Sequence, residues 1–126
     1  MQANQFVIVA GEASGDMYGA EVARALKNKF PEAQIFGLGG DRMREAGVEL
    51  VGDISHTAVV GPFEALGYFG TLYGVFRKLS GRMESSAPKA IILIDFPDFN
   101  LRLAGRAKAK GIPVIYYISP QIWAWR

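Results

Sequence analysis

Ile91-Ile92-Leu93-Ile94 is an unbroken apolar run, followed at once by Asp95 and, two positions later, by Pro97. A strand with one face in water alternates apolar and polar side chains, so a run without alternation predicts a strand buried on both faces, as the central strands of parallel sheets are. A carboxylate directly after such a strand is costly to keep there. Pro97 stops the ladder, which places Asp95 at the carboxyl edge of the sheet, where open α/β sheets bind their ligands. Two readings stand side by side at this edge. Either Asp95 or Asp98 simply caps a helix beginning near Leu101, or Asp98 or Asn100 does the capping and Asp95 is left over for chemistry.

The flanking sequence fits a sheet of this kind. Phe6 to Ala10 predicts a strand that breaks at Gly11 and passes through Glu12-Ala13-Ser14-Gly15-Asp16 into a helical pattern reaching about Phe30, with Ser14 or Asp16 as its N-cap and Pro31 beyond its end. Gln34 to Gly37 is the next strand, Asp41 to Arg44 a short helix stopping near Gly47, and Val48 to Val51 a third strand. Asp53 to Gly61 is irregular, Leu101 to Lys110 is a helix ended by Gly111, and Ile112 to Ile118 is the fifth strand. Strands alternating with helices across short glycine-containing turns imply right-handed crossovers and a parallel sheet covered on both faces, a Rossmann-like α/β fold.

With 126 residues the chain has room for one domain with a real core and too little for two ordinary ones. Half of its residues are hydrophobic, which excludes disorder, yet no apolar run approaches the roughly 20 residues that span a bilayer. A net charge of +2 with no basic tract gives no support for nucleic acid as a partner. Cysteine is absent, so there is neither a disulfide framework nor a thiolate metal site, and the first residues lack the regions of a signal peptide. Cytoplasm is the default location. The chain stops just after Trp123 and Trp125, side chains that ask for more protein to cover them, and a fragment of a longer protein is expected.

Pro62 suits the first turn of a helix running to about Met83, and this helix is unusually greasy. Its apolar residues spread across about half the circumference of a helical wheel, wider than a core stripe. Gly67, Gly70, Gly74 and Gly81 fall on the other side with Arg77 and Lys78. One reading buries the helix against the sheet, with the glycines allowing close backbone contact. The other lets Phe63, Leu66, Phe69, Leu72, Tyr73 and Phe76 partly meet lipid, with Arg77 and Lys78 near the headgroups. Arg102, Arg106, Lys108 and Lys110 are most simply a solvated face and carry no assigned role.

Glu12-to-Asp16 occupies the place of a phosphate loop without the G-x-G-x-x-G spacing, and its two acids would repel a pyrophosphate. A nucleotide-dependent oxidoreductase is therefore a poor reading. No Walker lysine follows the glycines, and the single histidine, His56, has no partners from which to build a metal site. Glu12 and Asp95 each follow a strand at the same sheet edge, so they either share one cleft or are two solvated loop acids.

Four segments in register over the whole chain resemble the successive signatures of the lipid-A-disaccharide synthases: Val9-Ala10-Gly11-Glu12-Ala13-Ser14-Gly15-Asp16, then Gly37-Leu38-Gly39-Gly40 with Met43, then Ile94-Asp95-Phe96-Pro97-Asp98-Phe99-Asn100, and finally Ser119-Pro120-Gln121-Ile122-Trp123-Ala124-Trp125-Arg126. The resemblance implies the amino-terminal, acceptor-side part of a two-domain glycosyltransferase of the B type, whose carboxyl-terminal donor domain lies outside this chain. It implies an inverting transfer in which UDP-2,3-diacylglucosamine is joined to 2,3-diacylglucosamine 1-phosphate, giving lipid A disaccharide 1-phosphate and UDP, with no metal or other cofactor. Asp95 matches the family's base and Glu12 its acidic loop residue, with Ser14, Asp98 and Asn100 in supporting, substrate-binding places. Phe63, Leu66, Phe69, Leu72 and Tyr73 fall on the segment by which such enzymes meet acylated substrates at the membrane surface, a peripheral position at the inner membrane. The chain alone is expected to transfer no sugar. A non-catalytic lipid or acyl-sugar binding module is the alternative from another class.

Overall fold

A computed structural model describes residues 4–56 and 62–118, with side chains described for residues 4–55 and 69–118. The sheet is parallel and five-stranded, in the order β3-β2-β1-β4-β5. Its strands are β1 (Gln5–Ala10), β2 (Gln34–Gly39), β3 (Glu49–Asp53), β4 (Ala90–Ile94) and β5 (Val114–Tyr117). The helices are α1 (Ala13–Lys29), α2 (Asp41–Glu45), α3 (Pro62–Ser86) and α4 (Pro97–Ala109). This is the Rossmann-like arrangement expected from the alternation of strands and helices, and β4 is central as the Ile91–Ile94 run predicts, pairing β1 on one side and β5 on the other.

Period-two alternation divides the core between the two faces. Val7, Val9, Ile91 and Leu93 pack with Val75, Leu79 and Met83 of α3 and Leu103 and Ala107 of α4. Ile8, Ala10, Ile92 and Ile94 face Ala20 and Ala23 of α1 and Met43 of α2. The α1 face is built of small residues, so that helix lies close on the sheet; a Cβ at Gly15 would stand 3.0 Å from that of Ala10.

Several element boundaries differ from the sequence expectation, each for a local reason. Helix α4 begins at Pro97, not near Leu101, because proline suits the first helical position, and its N-cap is Phe96 in a left-handed conformation (φ 52°) with no side-chain cap. Neither Asp98 nor Asn100 is the cap. Helix α1 has Glu12 at its N-cap, again without a side-chain bond, so Ser14 and Asp16 lie in its first turn. Strand β5 begins two residues late: Ile112 N–H still closes the turn onto Ala107 O, and Pro113 has no N–H to give. The expected irregular stretch after Asp53 includes one 3-10 turn, Ile54–His56, and residues 57–61 fall outside the described residues. In α3, added Cβ atoms at Gly70, Gly74 and Gly81 would meet nothing within 4 Å among the described residues, so these glycines do not serve close packing there. The segment Ser119 to Arg126 and the side chains of His56, Phe63, Leu66 and Gly67 also lie outside the described residues.

Candidate functional site

Asp95 directly follows β4, its N–H donating to Tyr117 O at 2.9 Å, and it is 7% exposed. Its backbone is left-handed (φ 47°), and so is that of Phe96 (φ 52°). Left-handed conformations cost non-glycine residues about 1–2 kcal/mol each, so two in succession form a strained elbow that its surroundings must hold in place. Two donors hold it. Asn100 Nδ2 donates to Asp95 O at 2.8 Å and to Ile94 O at 3.3 Å, and Tyr116 Oη donates to Asp95 O at 2.7 Å. Asn100 is fully buried and therefore acts from behind the elbow. Burial, joined by the negative charge of Asp95, raises the Tyr116 phenol above its ordinary pKa.

The Phe96 ring ties the elbow to the loop after β1. A Cβ at Gly11 would stand 2.4 Å from that ring, so only glycine allows the loop carrying Glu12 to approach so closely. The elbow and the Glu12 loop thus meet at one sheet edge, as their shared position after parallel strands predicted. Glu12 and Ser14 are exposed there, and so is Asp98 in the first turn of α4. The Tyr18 and Tyr117 rings, 5.4 Å apart, close the same edge between α1 and β5.

Asp16, the second acid of the Glu12-to-Asp16 segment, has a different task. Its carboxylate is 6% exposed and accepts backbone N–H bonds from Gly40 (2.7 Å), Arg42 (3.0 Å) and Met43 (3.0 Å). Those are donors at the start of α2, where the helix dipole also favours negative charge, so Asp16 caps α2 from another element. Ser55 Oγ accepts the Asp41 N–H beside it.

On the other face, α3 and α4 leave an apolar groove of about 640 Å³ leading away from the elbow, with walls that include Phe69, Leu72, Tyr73, Phe76, Phe96 and Phe99. Phe69 and Tyr73 are 64% and 65% exposed, while Leu72 is half-buried. Phe96 stacks on Phe99 at 5.2 Å, so one side chain belongs to both elbow and groove. Asp98, Arg102 and Arg106 also line it. The two arginines are the site residues that the sequence left as a solvated face; only the packing of α3 against α4 distinguishes their stripe. Among the described residues no cluster of three or more His, Cys, Asp or Glu side chains could hold a metal, and no helix is long and apolar enough to cross a membrane.

Comparison with known proteins decides the family. A family model described as lipid-A-disaccharide synthetase matches residues 6–126. The chain belongs to that family. It is 52% identical over 120 residues to the lipid-A-disaccharide synthase of Trichlorobacter lovleyi and 49% identical over 121 residues to that of Koribacter versatilis, matches that cover 95% of this chain. Those matches cover 31% and 32% of the relatives' own length, so the chain spans about a third of a lipid-A-disaccharide synthase. Among solved structures, the fold matches UGT2 of Phytolacca americana, complexed with UDP-2fluoro-glucose and pterostilbene (TM-score 0.62, 18% identity), over 96% of this chain and 31% of that one. It matches the glycotransferase of kitacinnamycin similarly (TM-score 0.61, 15% identity), over 94% of this chain and 31% of that one. The Rossmann-like fold of the family member is thus that of a portion of known glycosyltransferases.

Proposed function

We propose that this chain is the acceptor-side domain of a lipid A disaccharide synthase, with Asp95 as the base of an inverting glycosyl transfer. The acceptor is an acylated glucosamine 1-phosphate and the donor a UDP-activated diacylglucosamine, most of whose contacts lie in a carboxyl-terminal domain beyond this chain; the chain alone transfers no sugar. As the acceptor hydroxyl oxygen bonds to the anomeric carbon, its proton passes to the Asp95 carboxylate, and UDP departs from the opposite face with the electrons of the broken C–O bond. Glu12, across the Phe96–Gly11 contact, orients the acceptor or tunes Asp95. Ser14 and Asp98 support the acceptor at the same edge, and Asn100 keeps the elbow in shape. The exposed Phe69 and Tyr73, with Phe63, Leu66 and Leu72 on the same helix, meet the cytoplasmic surface of the inner membrane, where acylated substrates reside.

The observation that carries this reading is a buried carboxylate on a strained elbow at the carboxyl edge of a parallel sheet, the edge where such sheets bind their ligands. In the full-length enzyme, Asp95→Asn is expected to lower kcat by about 10²–10⁴-fold, the usual contribution of a positioned base, with the thermal midpoint little changed. Near-normal turnover by a folded Asp95→Asn enzyme would remove the base from the mechanism.

A further inference from the structure

Arg102 and Arg106 stand one turn apart on α4, both line the apolar groove, and both are exposed. Among the described residues, neither guanidinium is ion-paired with a carboxylate. Two like charges four residues apart on a helix repel each other, and an anion between them relieves that repulsion. Beside them lies a concave aromatic trough of about 640 Å³, within the roughly 300–1,000 Å³ typical of small-molecule sites. Charge on one stripe and grease beside it describe a ligand with both features in one molecule.

We propose that the groove binds a single phosphorylated lipid as a discrete molecule, one acyl chain lying between α3 and α4 and its phosphate monoester gripped by Arg102 and Arg106. Paired guanidinium forks suit the three oxygens of a phosphate monoester. Asp98 lies on the same stripe of α4, four residues nearer the elbow, and its charge repels the phosphate alone, which keeps that group at the arginine end. The trough has walls from both helices and so offers a chain more than one side to lie against, whereas a bilayer surface would meet the exposed Phe69 and Tyr73. This deepens the acceptor-side reading and rests on it for the identity of the natural lipid, but not for the binding itself.

The test is isothermal titration calorimetry of the full-length protein with decyl phosphate, decyl glucoside and inorganic phosphate, each below any micelle threshold and without donor. Decyl phosphate is expected to saturate at one per chain and to bind about tenfold or more tightly than decyl glucoside, as charge-assisted hydrogen bonds imply, while inorganic phosphate does not saturate. Arg102→Gln with Arg106→Gln should erase the difference between the two amphiphiles and leave decyl glucoside binding unchanged, and the corresponding lysine pair should restore part of it. Equal affinity for the two headgroups overturns the proposal. So does saturable binding only to phosphatidylglycerol vesicles, which would make the stripe a membrane contact. Binding is read without donor and without turnover, so failure of the base and failure of the groove are separately visible.

Discussion

Removing the Asp16 carboxylate tests whether the acid of the Gly11-to-Asp16 segment builds the fold or serves chemistry. One oxygen, Oδ1, accepts the N–H of Gly40 and of Met43, and the other accepts that of Arg42. In Asp16→Ala all of these donors lose their partner, and two of the bonds are buried. A hydrogen bond to a charged group contributes about 1.5–3 kcal/mol, and local relaxation and water recover part of the sum, so the expected loss is about 3–5 kcal/mol. Asp16→Asn keeps a carbonyl oxygen for Gly40 and Met43 but turns an NH2 group toward the Arg42 N–H, two donors face to face, for an expected loss of about 1–2 kcal/mol. Against a stability of about 5–15 kcal/mol these are large and ordered effects. Urea unfolding followed by far-UV circular dichroism gives the order wild type, asparagine, alanine, and hydrogen exchange shows lost protection at the Gly40, Arg42 and Met43 amides. Turnover per folded molecule should survive in the asparagine variant. Equal stability of the alanine and asparagine variants would refute the reasoning, because it depends on the bonds being separable.

The Tyr116 phenol, raised first by burial and then by the Asp95 charge, favours its neutral form in the folded state. Its contribution is therefore fully present below the unfolded value of about 10 and is lost as pH rises through the higher folded value, and Asp95→Asn should move that midpoint down, read from the ring-carbon chemical shift of labelled tyrosine. An unmoved midpoint would place the carboxylate elsewhere. At Phe96, whose left-handed backbone penalises any Cβ, Phe96→Gly is expected to be more stable than Phe96→Ala by about 1 kcal/mol in thermal unfolding, although both lose the ring. The reverse order would show that the elbow is unstrained. In liposome flotation, a triple variant with Phe63→Ser, Leu66→Ser and Phe69→Ser should partition less to vesicles than wild type, and equal partitioning would count against lipid contact by α3.

The sheet was legible because burial on both faces leaves a direct mark on composition. The unbroken run Ile91 to Ile94 predicts a central strand, and Pro97 soon after it predicts that the acid sits at the sheet edge. What escaped depended on partners distant in sequence. Asp16 looked like a local cap because local rules pair an acid with the helix it begins, whereas its donors lie 24 to 27 residues away. Asn100 looked like a cap for the same reason, yet its amide serves the carbonyls of Ile94 and Asp95. The start of α4 was masked by treating Pro97 only as a strand stop. Pro97 followed by Asp98 is also a first-turn signature, and that signal was present in the sequence.

The two faces of the sheet divide the work, and the division follows from side-chain size. Gly15, Gly19, Ala20 and Ala23 let α1 sit tight against β1 and β4, so that face fixes the backbone around the Glu12 loop. The opposite face carries Phe76, Phe96 and Phe99, whose rings meet one another across α3 and α4 and wall the trough there. Rigid positioning is what a proton-accepting carboxylate needs, and adaptable apolar volume is what an acyl chain needs. Phe96 is where the demands meet: its ring rests on Gly11, stacks on Phe99, and hangs from the same left-handed backbone that carries Asp95. One side chain therefore belongs both to the wall of the trough and to the backbone turn that carries Asp95.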